Sequence, residues 1–173
     1  MPVVRENRSD QLTGLPNRRS LADHLGHLLQ GNSPHHLILI DLDRFKHFNV
    51  HNGHVAGDAL LVRLGSHLTK LFPSGARAFR LGGDEFALVV QSDDPELGIS
   101  VAERIRVFVA DTLAMDQPDH CGDNDCLGPA LMTCSIAVVP LKSHTLLADL
   151  LQDVDELLRQ AKSDGGNTVR FRK

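Results

Sequence analysis

Two acidic stretches of the sequence combine residue types and spacing that could bind a metal ion. Asp41 and Asp43 close the apolar segment HLILIDLD, and Asp84 and Glu85 follow two glycines in FRLGGDEFALVV. One residue separates Asp41 from Asp43, so both side chains would point to the same face of an extended strand. Mg²⁺ prefers oxygen ligands and takes few of them from the protein, which leaves room for substrate phosphates. Two acidic turns from separate parts of the chain therefore suggest a divalent metal site.

Both acidic stretches also have simpler structural explanations. Asp43 could cap a helix that begins at Arg44, which acidic residues do well. Asp84 and Glu85 could be solvated residues of a hairpin turn. Capping would account for Asp43 but would leave Asp41 unexplained. The spacing alone leaves metal binding and these structural roles open.

Apolar periodicity predicts the elements that must position these carboxylates. Helical spacing is found in Pro16–Gln30, Arg44–Asn49, a longer segment from Val55 to Leu68, Pro95–Met115 and Thr145–Ser163. Short apolar runs predict strands over His36–Asp41, Ala76–Leu81, Phe86–Gln91, Ala130–Val139 and Thr168–Arg172. The Gly82-Gly83 turn joins two of these strands in a hairpin. This order of elements predicts an α/β fold, with a mixed central β-sheet flanked by helices.

The size and composition of the chain fit one globular domain. Its 173 residues, of which 42% are hydrophobic and 23% charged, suffice for a single core. The formal net charge of −4 argues against a general nucleic-acid or membrane-surface binder, which would be basic. Three cysteines, an odd number, and a polar start at Met1–Asp10 predict a cytoplasmic, reducing setting. We expect residues 1–173 to be a single domain taken from a longer signalling protein.

Motifs along nearly the whole chain resemble those of GGDEF domains, the diguanylate cyclase family. The signature pentapeptide is Gly82–Phe86. The other matching motifs are DQLTGLPNRRSL (Asp10–Leu21), DLDRFKHFNVHNGHVAGDALL (Asp41–Leu61), TCSIAVV (Thr133–Val139) and VDELLRQAKSDGGNTV (Val154–Val169). The resemblance implies a fold similar to nucleotidyl cyclases and the polymerase palm, with the signature on a β-hairpin. It also implies condensation of two GTP molecules into cyclic di-GMP with release of two pyrophosphates.

The resemblance implies which residues carry out the chemistry. Asp41, Asp84 and Glu85 would be the catalytic carboxylates. Asp41 and Asp84, together with the Leu42 carbonyl, would hold two divalent ions, Mg²⁺ or Mn²⁺, and Glu85 would be either a further metal ligand or a proton acceptor. Such ions lower the pKa of an attacking hydroxyl and neutralise charge on the leaving group.

The resemblance also implies which residues bind the nucleotide. Asn49 and Asp58 match the guanine-reading pair, and a carboxylate paired with guanine would be left unpaired against adenine. The backbone N–H groups of Arg44, Phe45 and Lys46, at a helix start, would bind the terminal phosphates. Lys162, near the end of the last helix, would bind phosphate as well. Gly82 and Gly83 would let the backbone approach the α-phosphate. Alternatively, Asp58 and Lys162 merely complement helix dipoles.

Three positions depart from the family pattern. Gly166 stands where the family usually has a phosphate-binding arginine, so an arginine there would be expected to tighten GTP binding. Val50 replaces a frequent aspartate. Pro73 and Ala76 replace the Arg and Asp of the usual inhibitory site, which predicts that this site is absent. Cyclic di-GMP carries two guanines, so we expect the product to bind in the active site in competition with GTP.

Three functions are compatible with these residues. The first is an active cyclase, which requires a homodimer because each chain holds one GTP. The second is a degenerate module that binds GTP or cyclic di-GMP as a receptor without turnover, and the third is a partner-binding module. The segment DHCGDNDC (Asp119–Cys126) lacks the usual zinc spacing and is interpreted as a variable surface loop.

Overall fold

The computed structural model describes residues 7–31, 34–71, 75–113 and 132–172. The helices are α1 (Arg18–Gln30), α2 (Phe45–Asn52), α3 (His54–Leu71), α4 (Pro95–Phe108) and α5 (Leu147–Ser163). The strands are β1 (His35–Asp43), β2 (Ala76–Gly82), β3 (Glu85–Gln91), β4 (Thr133–Pro140) and β5 (Val169–Phe171). A π-helical turn, Val109–Leu113, continues α4, and a 3₁₀ turn, Leu141–Ser143, follows β4.

The five strands form one mixed sheet in the order β2-β3-β1-β4-β5. β1 lies at its centre and pairs antiparallel with both β3 and β4, while β4 and β5 are parallel. A central strand covered on both faces is mostly apolar, and β1 is buried over all its interior positions, with His36 and Asp41 as its buried polar residues. The predicted fold class is confirmed.

Alternation along the strands divides the hydrophobic core into two layers. Ile38, Ile40 and Leu42 of β1 pack with residues of α2, α3 and α4. Leu37 and Leu39 pack instead with residues of α1 and α5. By the same alternation Asp41 lies on the α1 and α5 side of the sheet, whereas Leu42 points to the other side.

The predicted elements are confirmed within the described residues, with local shifts at their ends. α1 begins after Asn17, whose side chain accepts a hydrogen bond from Ser20 N at 3.2 Å. A single residue, Gly53 (φ 81°), separates α2 from α3. The strand β1 extends through Asp43, two residues beyond the predicted end. The predicted loop Met115–Pro129 lies outside the described residues.

Candidate active site

The two acidic stretches meet where β1 ends and β3 begins. In the antiparallel register Asp41 lies opposite Glu85, and Leu42 N donates to the backbone carbonyl of Asp84 at 3.3 Å. The turn before Glu85 places Gly82 at φ 130° and Gly83 at φ 54°, in the region that glycine enters without steric cost. The hairpin therefore sets its acidic residues beside the end of the central strand.

A cavity of about 370 Å³ opens at this end of the sheet; we call it the carboxylate cavity. Its lining residues are Asp41, Leu42, Asp43, Arg44, Phe45, Lys46, Asp84, Lys162, Gly165 and Gly166. They come from β1, the start of α2, the hairpin turn and the end of α5. Most residues predicted to bind metal or phosphate are therefore gathered around one space.

Asp41 is the buried carboxylate of this cavity, with 5% of its surface exposed. Burial is the main cause that raises its pKa from 3.8 to about 6; Lys162 opposes this rise, and the negative charges of Asp84 and Glu85 add to it. Lys162 Nζ lies 2.6 Å from Asp41 Oδ2. The predicted phosphate-binding lysine thus pairs with the predicted metal ligand in this structure.

Asp43 does not cap α2, so that interpretation of the sequence is wrong. The helix is preceded by Arg44 without a side-chain cap. The Asp43 carboxylate instead accepts hydrogen bonds from Thr133 Oγ1 and Ser135 Oγ, both at 2.7 Å, and from Asn167 N at 2.8 Å. It ties β1 to β4 and to the turn after α5.

The start of α2, Arg44 to Lys46, borders the carboxylate cavity. Arg44 has φ 56° and ψ 27°, a left-handed conformation, and the helix follows at Phe45. A left-handed residue next to a right-handed one turns successive N–H groups toward one side, which forms a concave anion site. This geometry agrees with the phosphate role predicted for Arg44, Phe45 and Lys46.

The predicted guanine readers lie at the junction of α2 and α3 and do not belong to the lining of the carboxylate cavity. Asn49 is half-buried on α2, and Asp58 is exposed on α3. The Gly53 N–H donates to Asn49 O at 2.9 Å, which closes α2 directly before α3 begins. The Asn49 Oδ1 atom is buried and has no hydrogen-bond partner among the described residues.

Two arginines that the sequence reasoning did not single out hold the hairpin turn. Arg80 is buried; it pairs with Asp10 Oδ1 at 2.8 Å and donates to Gly83 O at 2.8 Å. Arg18 Nη2 lies 2.8 Å from Glu85 Oε2. Asp10 and Arg18 lie in the opening motif, and Arg80 directly precedes LGGDEF. Because the paired residues are far apart along the chain, no spacing pattern in the sequence indicates that they meet.

Gly166 lies against Asp43 with φ 77°. A Cβ atom at this position would approach Asp43 Oδ2 to 2.8 Å, closer than real Cβ atoms come. The sequence predicts that an arginine here would tighten GTP binding, but the structure shows that its side chain would first collide with Asp43. The side chain could be added only if the Asp43 contacts shifted.

The other histidine and cysteine features do not form a metal site in the described part of the chain. Within it, no three His, Cys, Asp or Glu side chains are grouped closely enough to hold an ion, and this includes Asp41, Asp84 and Glu85. His47, His51 and His54 are exposed on α2 and α3, as expected for surface histidines. The segment Asp119–Cys126 and residue Pro73 lie outside the described residues.

Comparison with known proteins identifies the family. The family model described as "Diguanylate cyclase, GGDEF domain" matches residues 7–168. The chain is a GGDEF domain. It is 34% identical over 168 residues to the diguanylate cyclase DgcM of Escherichia coli K12, with 92% of this chain and 37% of that protein covered. It is 31% identical to the diguanylate cyclase VdcA of Vibrio cholerae, with 96% and 48% covered.

Solved structures agree with this assignment. The GGDEF domain of DgcB from Caulobacter crescentus, solved in complex with c-di-GMP, superposes with a TM-score of 0.77 at 26% identity, with 99% of this chain and 97% of that chain covered. The chain spans less than half the length of the curated relatives named above. None of the described helices is long and apolar enough to cross a membrane.

Proposed function

We propose that this GGDEF domain is a diguanylate cyclase that condenses two GTP molecules into cyclic di-GMP. The observation that carries the proposal is the convergence of Asp41, Asp84, Lys162 and the start of α2 on one cavity. Carboxylates for a cation, a lysine and free N–H groups for phosphates are the parts that phosphoryl transfer requires. The named relatives in E. coli and V. cholerae are diguanylate cyclases, which supports the same activity here.

The residues around the carboxylate cavity fit a hard divalent cation, Mg²⁺ or Mn²⁺. Asp41 and Asp84 line the cavity and offer carboxylate oxygens, and the Leu42 backbone borders the same space. Glu85 is not among the lining residues, and its carboxylate pairs with Arg18 at 2.8 Å. Burial, and then the negative charges of Asp84 and Glu85, raise the pKa of Asp41, and a bound cation would neutralise this negative charge. Phosphate oxygens of the substrate would complete the coordination. Bound ions would lower the pKa of the ribose hydroxyl and neutralise charge on the departing pyrophosphate.

The chain's own residues bind and orient the nucleotide. N–H groups of Arg44, Phe45 and Lys46 donate hydrogen bonds to the phosphates, and Lys162 supplies a positive charge from the other side of the cavity. Asn49 and Asp58 read the guanine at the end of α2 and on α3. This arrangement separates phosphate binding from base recognition along α2.

The reaction joins a ribose hydroxyl oxygen to the α-phosphorus of the opposing GTP. The bond between that phosphorus and the pyrophosphate oxygen breaks, and the hydroxyl proton passes to a base. We assign this proton to Glu85, which Arg18 holds in place beside the turn. Two such transfers close the cyclic product. Each chain holds one GTP, so two chains must face each other as a homodimer.

A product assay tests the proposal directly. The protein is incubated with GTP and Mg²⁺, and cyclic di-GMP is measured by chromatography. We expect formation by the unmodified protein and by Asp93→Asn, which alters an exposed acidic residue before α4. Asp84→Ala should abolish formation, because a metal-binding carboxylate is lost. Normal turnover by Asp84→Ala at saturating Mg²⁺ would refute the assignment.

The second candidate function is a receptor that binds GTP or cyclic di-GMP without turnover. Gly166 favours it, since no side chain extends from this position toward the cavity. The two functions separate in one experiment. Calorimetric binding of GTP with no cyclic di-GMP formed at high protein concentration would indicate the receptor, whereas product formation that rises steeply with protein concentration indicates the dimeric enzyme.

A further inference from the structure

The helix α3 contains a glycine, Gly57, that its backbone conformation does not require. Gly57 is buried within helical backbone and is not among the glycines with positive φ. Glycine is among the least favourable residues in a helix. A reason for a glycine here must therefore lie in the space around it.

That space is filled by the side chain of Asn49 from the preceding helix. A Cβ atom on Gly57 would lie 1.9 Å from Asn49 Oδ1, 2.9 Å from Asn49 Cγ and 3.1 Å from Phe45 Cζ. The first distance is far below any real contact. Asn49 can hold this position only while residue 57 has no side chain.

The position of Asn49 is also unusual in its hydrogen bonding. Its Oδ1 atom is buried without a hydrogen-bond partner among the described residues, although an unmade hydrogen bond of a buried oxygen is unfavourable. The oxygen faces the Cα hydrogen of Gly57, where only a weak C–H contact is available. With the oxygen turned toward Gly57, the amide nitrogen of Asn49, which is a hydrogen-bond donor, lies on the other side of the amide group.

We propose that Gly57 is a specificity-determining positioning residue. Because it has no side chain, Asn49 can keep the orientation needed to read a guanine base. The proposal rests on the proposed function, in which Asn49 and Asp58 recognise guanine. Gly57 precedes Asp58 directly, so one turn of α3 sets both readers. Gly57 acts through Asn49 and does not itself contact the base.

The test compares Gly57→Ala, Asn49→Ala and the double variant by calorimetry with non-hydrolysable GTP and ATP analogues. Gly57→Ala should weaken GTP-analogue binding roughly 10- to 100-fold, as expected for one or two lost hydrogen bonds. ATP-analogue binding should not change. In the Asn49→Ala background, Gly57→Ala should cost much less, because the colliding Asn49 side chain is gone and only the 3.1 Å contact with Phe45 Cζ remains. Gly26→Ala is the matched control, since a Cβ there meets nothing within 4 Å.

The outcomes separate this proposal from the proposed function. If Asn49→Ala leaves GTP-analogue affinity unchanged, Asn49 does not read guanine and the proposed recognition fails with it. If Asn49→Ala weakens binding but Gly57→Ala does not, the positioning role of Gly57 is refuted and the recognition of guanine by Asn49 stands. If the double variant loses as much binding free energy as the sum of the two single variants, the positioning role of Gly57 is refuted as well. Should Gly57→Ala fail to fold, the double variant must recover the fold; if it does not, the collision with Asn49 is not the cause.

Discussion

The buried carboxylate of Asp41 should make the metal-free domain less stable than it would be without that charge. Asp41 is 5% exposed and carries a pKa raised to about 6, mainly by burial. The raised pKa means that folding disfavours the ionised form. We therefore expect Asp41→Asn, which keeps the shape and removes the charge, to stabilise the protein in the absence of metal.

The magnitude follows from the two pKa values. The folded state titrates near pH 6 and the unfolded state near 3.8, so native stability is lost as the pH rises through this window. A pKa difference of one is worth 1.36 kcal/mol. The linkage relation gives a penalty of about 3 kcal/mol at pH 8 and about 1 kcal/mol at pH 4.5. Asp41→Asn should be more stable than the unmodified protein by about these amounts.

Urea unfolding in EDTA at the two pH values measures the difference. Asp93→Asn serves as control because it removes an exposed carboxylate, and its effect should be small at both pH values. Adding Mg²⁺ should narrow the gap at pH 8, since a cation that binds only the folded state stabilises it by mass action. An Asp41→Asn variant that is less stable, or whose advantage does not change with pH, would refute the reasoning.

Four further predictions concern the remaining parts of the site. Asp58→Ala should reduce the preference for GTP over ATP, measured as the ratio of kcat/KM; an unchanged ratio would exclude Asp58 as a base reader. Cyclic di-GMP should compete with GTP, and calorimetric binding of product that persists at full occupancy by a GTP analogue would show a separate site. Arg80→Met should lower the free energy of unfolding by about 1–3 kcal/mol, because partly buried Asp10 and the Gly83 carbonyl lose a charged hydrogen-bond donor; a urea-unfolding difference below about 0.5 kcal/mol would contradict this role. Gly166→Arg should lower the melting temperature, since its Cβ meets Asp43, and an unchanged melting temperature would show that the turn adapts.

The sequence by itself determined the family, the order of the elements and the identity of the acidic residues. These features are local: an apolar run predicts a buried strand, two glycines predict a turn, and a short motif keeps its spacing along the chain. Asp41 and Asp84 could be singled out because each follows an element whose end is visible in the sequence. The alternation along β1 likewise predicted that Asp41 and Asp43 face one side, and both line the carboxylate cavity.

The tertiary structure decided which groups these residues meet. Asp43 was compatible with a helix cap in the sequence, but its partners Thr133, Ser135 and Asn167 come from parts of the chain about 90 to 124 residues away. The collision of a Cβ at Gly166 with Asp43 is equally distant in sequence. Such contacts depend on how strands align and helices pack, and neither residue type nor spacing along one segment encodes them. The raised pKa of Asp41 likewise cannot be predicted from the sequence, because its burial and its charged neighbours exist only once the sheet and α5 have packed together.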